Sequence, residues 1–327
     1  MSTSGSYNFF IRRNELIKAS MRAIRALRAG RDPSADQIAD FSQALNLMLK
    51  QWQGKPDFAR GLKLFSRKRL HLFLANGQSR YLIGPNSGDA RCTEAFGRTT
   101  ISATEAAAQT VLSVTSNTDA TSFPGQTQTM ASGNFIGVEL DDGTLHWSTI
   151  SGTPSSTATI MDALPSQASS GNYVYWFAAR AQSPIEIETV SLRDADYLDI
   201  PIAIFRTVGE YESIPDKFVE GDPSGMLFEP QLVNAAVTFD HLPNDVTKVV
   251  RMTAIYPAED MDAINDELGF PQVWHNAIKW GLSKEIAPEL GQGLWLPEHQ
   301  SNYETALLIA QNANPETSDV SFEPGRE

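Results

Sequence analysis

Two hydrophobic periods divide the chain. Between Asn14 and Ala29, Leu16, Ser20, Ala23, Ile24 and Leu27 recur at three- and four-residue steps, while Lys18, Arg22 and Arg25 line another face. That spacing predicts an amphipathic helix, with Gly30 as its stop. A second helix is predicted from Asp32-Pro33, a capping carboxylate followed by a first-turn proline. Its stripe Ile38, Phe41, Leu45, Met48, Trp52 holds the helical period until Gly54 and Pro56. The pair has one apolar side, which needs a partner. The stretch Leu268 to Gly291 offers one: Pro271 suits a first turn, and Val273, Trp274, Ala277, Ile278, Leu282 and Ile286 share a face. Pro288 is expected to stop this helix, and Gly291 to relax the backbone after it. Trp274 and Trp280 point roughly 120° apart, so one enters a core and the other reaches a neighbour. A last helix is expected from Glu298 to Asn312, with Tyr303, Ala306, Leu307 and Ala310 inward.

Between these helical ends the period is two. Leu70, Leu72 and Leu74 lead into Ala75-Asn76-Gly77-Gln78, and Tyr81 and Ile83 follow, which predicts a hairpin about Asn-Gly. Gly133 to Ile150 reads as a second hairpin, turning at Asp141-Asp142-Gly143. Further strands are predicted at Thr110–Val114, Ala158–Ile160, Tyr173–Phe177, Ile185–Leu192, Ile200–Phe205 and Val246–Ile255. Short strands with Gly, Pro and Asn turns point to an antiparallel sandwich or a barrel-like domain.

The expected fold is therefore α+β: a helical bundle formed by both chain ends, with an inserted antiparallel β-sandwich or barrel-like domain. The expected boundaries are 1–58 with 258–313 for the helical domain, 59–257 for the insert and 314–327 for a tail. The tail has two prolines and four acids against one arginine, too little apolar surface to offset its chain entropy, so it is expected to be disordered.

Composition narrows the class without naming a chemistry. At 327 residues, 41% hydrophobic and 20% charged, the chain reads as an ordinary soluble protein. No apolar run reaches the length of a membrane span, and the N-terminus lacks a signal-peptide pattern, so synthesis in the cytoplasm is expected. The single cysteine, Cys92, excludes an intramolecular disulfide and a multi-cysteine zinc site. Charge is uneven: residues 1–80 hold 15 Lys/Arg against 5 Asp/Glu, and the remainder holds 11 against 34. A basic head on an acidic body suits electrostatic docking more than wrapping nucleic acid. The docking candidates are Lys18, Arg22, Arg25 and the run Arg67, Lys68, Arg69, although both also read as solvated faces.

Catalytic patterns are sparse. His71, His146, His241, His275 and His299 lack metal-ligand spacing, and Asp260-x-Asp262 lacks the glycine and closing glutamate of a calcium loop. There is no phosphate-binding Gly-Lys-Ser/Thr loop and no nucleophile elbow. Asp141/Asp142 and Asp194/Asp196 are carboxylate pairs, of which the first is better explained by turn geometry. No catalytic residue, metal site or cofactor is expected, and the chain is not read as an enzyme.

Particular motifs carry a family resemblance. Phe270-Pro271-x-x-Trp274 with its helix and Ala287-Pro288-Glu289-Leu290-Gly291 resembles the closing helix of head-to-tail connector proteins of short-tailed bacteriophages, also called adaptor, packaged-DNA stabilisation or tail accessory proteins. Ile136 to Trp147 resembles the inserted domain of their long form, and Ala203 to Lys217 with Gly221-Asp222-Pro223 is similar to another segment of it. The likeness spans about residues 10–312, mainly as architecture. It implies a virion protein at the tail vertex, made in the host cytoplasm, that forms a ring, expected to be a dodecamer. It further implies contacts with portal, tail nozzle and tail fibres, and packaged double-stranded DNA in its channel, with no membrane partner. Portal binding is then expected at Phe322, Glu323 and Pro324 of the tail and at Trp274 and Trp280. The alternative from another class is a carbohydrate-binding or glycan-cleaving tail protein, for which Trp147, Tyr173, Tyr175 and Trp176 are the support. A DNA-binding regulator acting through the basic helices is a third possibility.

Overall fold

The structure, a computed structural model, describes residues 9–54, 66–85, 91–122, 126–264, 266–291 and 293–313. The fold is α+β, and the chain divides into two compact units: Met1–Ser66 with Pro257–Glu327, and Arg67–Tyr256. The divisions fall at 66/67 and 256/257, against the expected 58/59 and 257/258, and the first described strand begins at Arg67.

The first unit has helices α1 (Arg13–Ala23) and α2 (Ala35–Gly54) from one end of the chain. The helix over 208–212 described below is α3, and α4 (Gln272–Leu290) and α5 (Pro297–Asn312) come from the other end. Leu16, Ile17, Phe41, Leu45, Trp52, Trp274, Ile278, Leu282 and Tyr303 are among the residues of its single core. Where α1 meets α4, the sequence places two fully buried serines. Ser20 Oγ donates to Lys279 O at 3.0 Å, and Ser283 Oγ donates to Ser20 O at 3.0 Å, so small side chains let the backbones approach without leaving their hydroxyls unpaired.

Three helix boundaries differ from expectation. α1 ends at Ala23 because Arg25 takes φ +62°, and Ala26 N–H then reaches back to Met21 O at 3.0 Å, a left-handed C-terminal cap on a non-glycine residue. α2 starts after Ser34, whose Oγ accepts from Gln37 N–H while Gln37 Oε1 accepts from Ser34 N–H, a reciprocal cap. Asp32 instead pairs with Lys18. α4 runs through Pro288, which lies in its last turn, and the next bond, Gly291 N–H to Ala287 O, still forms.

The second unit is built from three larger sheets and a two-stranded ribbon. A five-stranded sheet has the order β13 (Asp199–Pro201), β12 (Glu186–Arg193), β17 (Val249–Ile255), β1 (Arg67–Phe73), β3 (Arg91–Thr93). A four-stranded sheet runs β14 (Ala203–Phe205), β15 (Gly225–Glu229), β16 (Ala235–Phe239), β2 (Arg80–Ile83). Leu70, Leu72, Val250 and Met252 of the first sheet share one core with Tyr81, Ile83, Met226 and Phe239 of the second, which makes a sandwich. The expected hairpin between Leu70 and Ile83 is thus not a hairpin. Gly77 turns the chain at φ +72°, but β1 pairs with β17 and β3, while β2 pairs with β16. Both strands have an apolar face to bury, and facing each other across the sandwich buries both. The short α3 (Val208–Glu212), capped by Thr207, follows β14.

The third sheet has the order β4 (Gly97–Thr100), β11 (Tyr173–Phe177), β8 (Phe135–Glu139), β9 (Leu145–Ser151), β10 (Thr157–Ile160), β5 (Val111–Ser113). Its two edges meet: Ile101 bridges Val114, Ser102 N–H donates to Ser113 O and Thr115 N–H to Thr100 O, each at 2.9 Å. The six strands therefore curl into a small barrel filled by residues such as Val138, Ile150, Val174 and Trp176. Trp176 lies opposite Gly97, and its ring passes 2.1 Å from where a Cβ on that glycine would stand, so only glycine fits there. A ribbon of β6 (Thr118–Asp119) and β7 (Gln128–Thr129) completes the unit.

Strand alternation on β11 explains how barrel and sandwich adhere. Val174 and Trp176 point inward, while Tyr175 and Phe177 point outward onto Phe73, Phe96 and Val249. Phe73 of β1 stands 5.0 Å from Tyr175 and 5.2 Å from Phe96, ring centre to ring centre, at angles that avoid a face-to-face sandwich.

Candidate functional site

The expected contact residues separate once they are placed in the fold. Trp274 is fully buried in the helical core and offers no surface to a portal, which corrects its assignment as a docking residue. The helix period is indifferent to whether an aromatic faces a core or a partner. Trp280 is half-buried: its ring centre lies 5.8 Å from His299, and Lys279 Nζ lies 4.9 Å from it. Phe322, Glu323 and Pro324 lie outside the described residues.

The basic stripe of α1 is partly neutralised. Lys18 is paired with Asp32, and its ammonium holds that carboxyl below the usual range. Arg25 reaches Glu298 at 3.4 Å with both side chains exposed, a geometry that contributes little. Arg22, Arg28 and Arg31 remain exposed beside them, so a basic rim persists around the end of α1.

The run Arg67, Lys68, Arg69 lies on β1, where successive side chains leave opposite faces. Arg67 is paired with Glu188 at 2.9 Å, and Lys68 with Glu94 at 2.9 Å. Only Arg69 is without an ion pair among the described residues. The three do not act as one patch.

A groove of about 690 Å³ opens on the helical unit between α1, α2 and the segment before α4. Ile38, Leu47 and Ile264 give it an apolar lining, and the last two are 62% and 63% exposed. Asn46 Oδ1 accepts from Met261 N–H at 3.0 Å, and the Arg13 guanidinium donates to the carbonyls of Met261 and Asp262. Lys50 and Asp260 pair at 2.6 Å on its rim. Leu308 and Ile309 of α5 are a second exposed apolar pair, each more than half exposed. In the β-rich unit, Phe218 and Leu232 project from loops, Leu232 wholly into solvent. Large apolar side chains left outside well-filled cores mark surfaces that suit partners.

The titratable groups serve the fold. Burial, then the nearby Arg251 and Arg193, push the His71 pKa down to about 3. His275 Nε2 bonds Phe270 O at 3.0 Å, His146 bonds Asp162 O, and Leu296 N–H donates to His299 Nδ1. His241 lies 3.0 Å from Asp240. Asp141 accepts from Ser169, Gln167 and Asn172, and Asp142 from Thr144 and Ser166, which holds both carboxyls low. Asp194 accepts from the amides of Asp196 and Leu198. The carboxylates of Asp141, Asp142 and Asp194 are therefore turn scaffolds. Burial drives the Cys92 thiol far up, so it is inert. Among the described residues no cluster of His, Cys, Asp and Glu has the makings of a metal site, and no helix is long and apolar enough to cross a membrane.

The aromatics behind the glycan alternative do not form an open platform. Trp176 fills the barrel, Tyr175 is buried against Phe73, and Trp147 and Tyr173 are half-covered, with Arg91 and Arg98 respectively over their rings. Sequence reading missed the groove, because Leu47 and Ile264 look like ordinary helix and loop residues until α2 and the segment before α4 are laid side by side. In comparisons with known proteins, no family model matches this chain and no curated protein matches its sequence.

Proposed function

We propose that this chain is a structural connector of a short-tailed bacteriophage, forming an oligomeric ring, taken as a dodecamer, that joins portal to tail. The ring extends the DNA channel, retains packaged DNA, and offers its outer surface to nozzle and fibre proteins. The observation that carries this reading is the organisation of the chain. Helices from both chain ends share one core, and a separate β-rich unit is spliced between α2 and α4. The splice is physically economical, since the first and last strands of the insert, β1 and β17, pair over seven residues from Arg67↔Ile255 to Phe73↔Val249. The unspent apolar surface on both units, and titratable groups engaged in the fold, also favour an assembly role over catalysis.

The test is light scattering of the purified protein with and without its portal protein. The protein alone should be monomeric or weakly associated, and mixing should produce a large ring-bearing complex. Absence of any complex at micromolar concentrations overturns the reading, as does salt-resistant binding to duplex DNA, which a net charge of −13 opposes. Truncation after Asn314 should leave the melting temperature unchanged and weaken portal binding. Unchanged binding would move docking to the groove and the basic rim.

A further inference from the structure

The face of the five-stranded sheet opposite the sandwich core, whose Phe73–Val249 end packs on the barrel, carries charge for which the connector reading has no use. Side chains alternate along a strand, so residues paired across β1, β17, β12 and β13 share a face. Arg251 is paired with both His71 and Ser191, Arg69 with Thr253, and Arg193 with Asp199. These residues stand on the face opposite the sandwich core, which takes Leu70, Leu72, Val190 and Met252. Arg193 and Arg251 thus meet around one carboxylate, and Arg69 stands on the same face one strand from Arg251 and two residues out of register with it.

That carboxylate is fully used. Asp199 Oδ1 accepts from Arg193 Nε at 2.7 Å, and Oδ2 accepts from Arg193 Nη2 at 2.6 Å and Arg251 Nη1 at 3.0 Å. Arg69 has no ion pair among the described residues, and Arg67 is already spent on Glu188. The cluster Arg69, Arg193, Arg251 and Asp199 keeps a surplus of two positive charges. Arg193 and Arg251 side chains are only 20% and 23% exposed, so water screens that surplus incompletely. Consistent with this, the Arg251 pKa is pushed down, first by burial and then by repulsion from Arg193 and Arg69. His71 beside it stays neutral at physiological pH and cannot serve as a counter-ion.

The hairpin that supplies Asp199 is also held in place. Arg98 from the barrel donates to Ala195 O at 3.1 Å, and its guanidinium lies 4.7 Å from the Tyr197 ring centre, with Arg193 at 5.9 Å. Arg193 and Arg251 are therefore set in a fixed frame, the arrangement that favours planar, multidentate recognition of an oxyanion, with the exposed Arg69 free to close on it.

We infer that Arg69, Arg193 and Arg251 form a binding site for one small tetrahedral oxyanion of the phosphate type, with the Thr253 and Ser191 hydroxyls as neighbouring donors. A phosphate group reaches such a site either as a free ion or as part of a nucleic acid. The surroundings favour the free ion: residues 67–256 hold 12 Lys/Arg against 21 Asp/Glu, so successive phosphates of a polyanion meet repulsion beyond the cluster. The inference stands whether or not the protein is a connector.

The test is calorimetric titration and thermal melting of the full chain with inorganic phosphate, against chloride at matched ionic strength and pH 7.5. Phosphate should stabilise where chloride does not. Arg69→Ala, a change at an exposed side chain, should weaken phosphate binding roughly tenfold, and Arg69→Lys should lose less. Asp199→Asn should tighten binding, because it removes the charge that competes with the ligand. Circular dichroism establishes that each variant is folded, and Arg69→Lys provides the comparison if Arg69→Ala is not. No phosphate-specific effect, or unchanged affinity in Arg69→Ala, overturns the site. A duplex oligonucleotide that displaces phosphate at lower total phosphate concentration, in an Arg69-dependent way, overturns the free ion as its ligand and assigns the cluster to nucleic acid.

Discussion

Replacing Gly281 by alanine tests the helical core at its tightest point. A Cβ at position 281 of α4 would stand 2.4 Å from Trp52 Cζ2, 2.6 Å from Cη2 and 3.0 Å from Met48 Sδ, all on α2. Carbon atoms in contact prefer about 3.5–4.0 Å, so the overlap with the indole is about 1 Å. The methionine can swing aside, but the Trp52 ring is buried, with Tyr303 packed 6.4 Å from it, and cannot. Overpacking of this kind costs about 1–3 kcal/mol, whereas alanine in place of glycine inside a helix contributes about 1 kcal/mol in favour. The two terms leave a net loss of up to roughly 2 kcal/mol, about 1 kcal/mol at mid-range. For a unit of this size the mid-range value is about 3–5 °C in Tm. Urea denaturation followed by the helical circular dichroism signal measures it.

The sign should reverse when the obstacle is removed. Trp52→Phe eliminates the two indole atoms nearest the new methyl, so adding Gly281→Ala in that background should stabilise by up to about 1 kcal/mol. The implied coupling of about 2 kcal/mol is large for a pair in direct contact but within the range such pairs show. A Gly281→Ala variant that is more stable than the parent, or one whose cost is the same with and without Trp52, refutes the close crossing of α2 and α4.

Two predictions concern individual side chains. Trp274→Ala should cost about 3–5 kcal/mol by emptying the core, while Trp280→Ala, at a half-buried site, should cost about 1–2 kcal/mol; equal losses in urea midpoints would contradict the burial assigned to Trp274. His71 takes a proton near pH 6.5 when unfolded and near pH 3 when folded, so stability is lost as pH falls through that window, by about 2 kcal/mol at pH 5. His71→Gln should remove that part of the acid sensitivity, and an unchanged difference between midpoints at pH 7.5 and pH 5 would count against a buried neutral ring.

How much of this was written in the sequence depends on the distance over which each signal acts. The α4 face of Trp274, Ala277, Ile278, Leu282 and Ile286 was legible because a helix repeats its buried positions within one segment. The β8–β9 hairpin was legible for the same reason, since Gly143, at φ +78°, and its flanking strands are adjacent in sequence. Asn76-Gly77 gave the turn but not the pairing, because a turn is local and the choice of β16 and β17 as partners is settled by burial far along the chain. Ile200–Phe205 read as one strand, but it divides into β13 and β14 in different sheets, with Ile202 N–H bonded to Val190 O at the bend. β15 and β16 passed unnoticed, as did the meeting of Leu47 with Ile264.

Charge misled in a more instructive way. A run such as Arg67-Lys68-Arg69 looks like one patch when charges are counted along the chain, and on a helix or in a loop it can act as one. On β1 it cannot, since the strand sends Lys68 to Glu94 and leaves Arg67 and Arg69 on the other face. There Arg67 is neutralised at once, and what remains of the run is a single arginine. That arginine gains its meaning from β12 and β17, whose Arg193 and Arg251 are more than 120 residues away in sequence yet stand on the same face of the sheet. The local run is thus mostly a strand end held by two ion pairs, and the functional charge is assembled only by the register of the sheet. Patterns of one residue type along a sequence carry chemistry only after the period of the element beneath them has been taken into account.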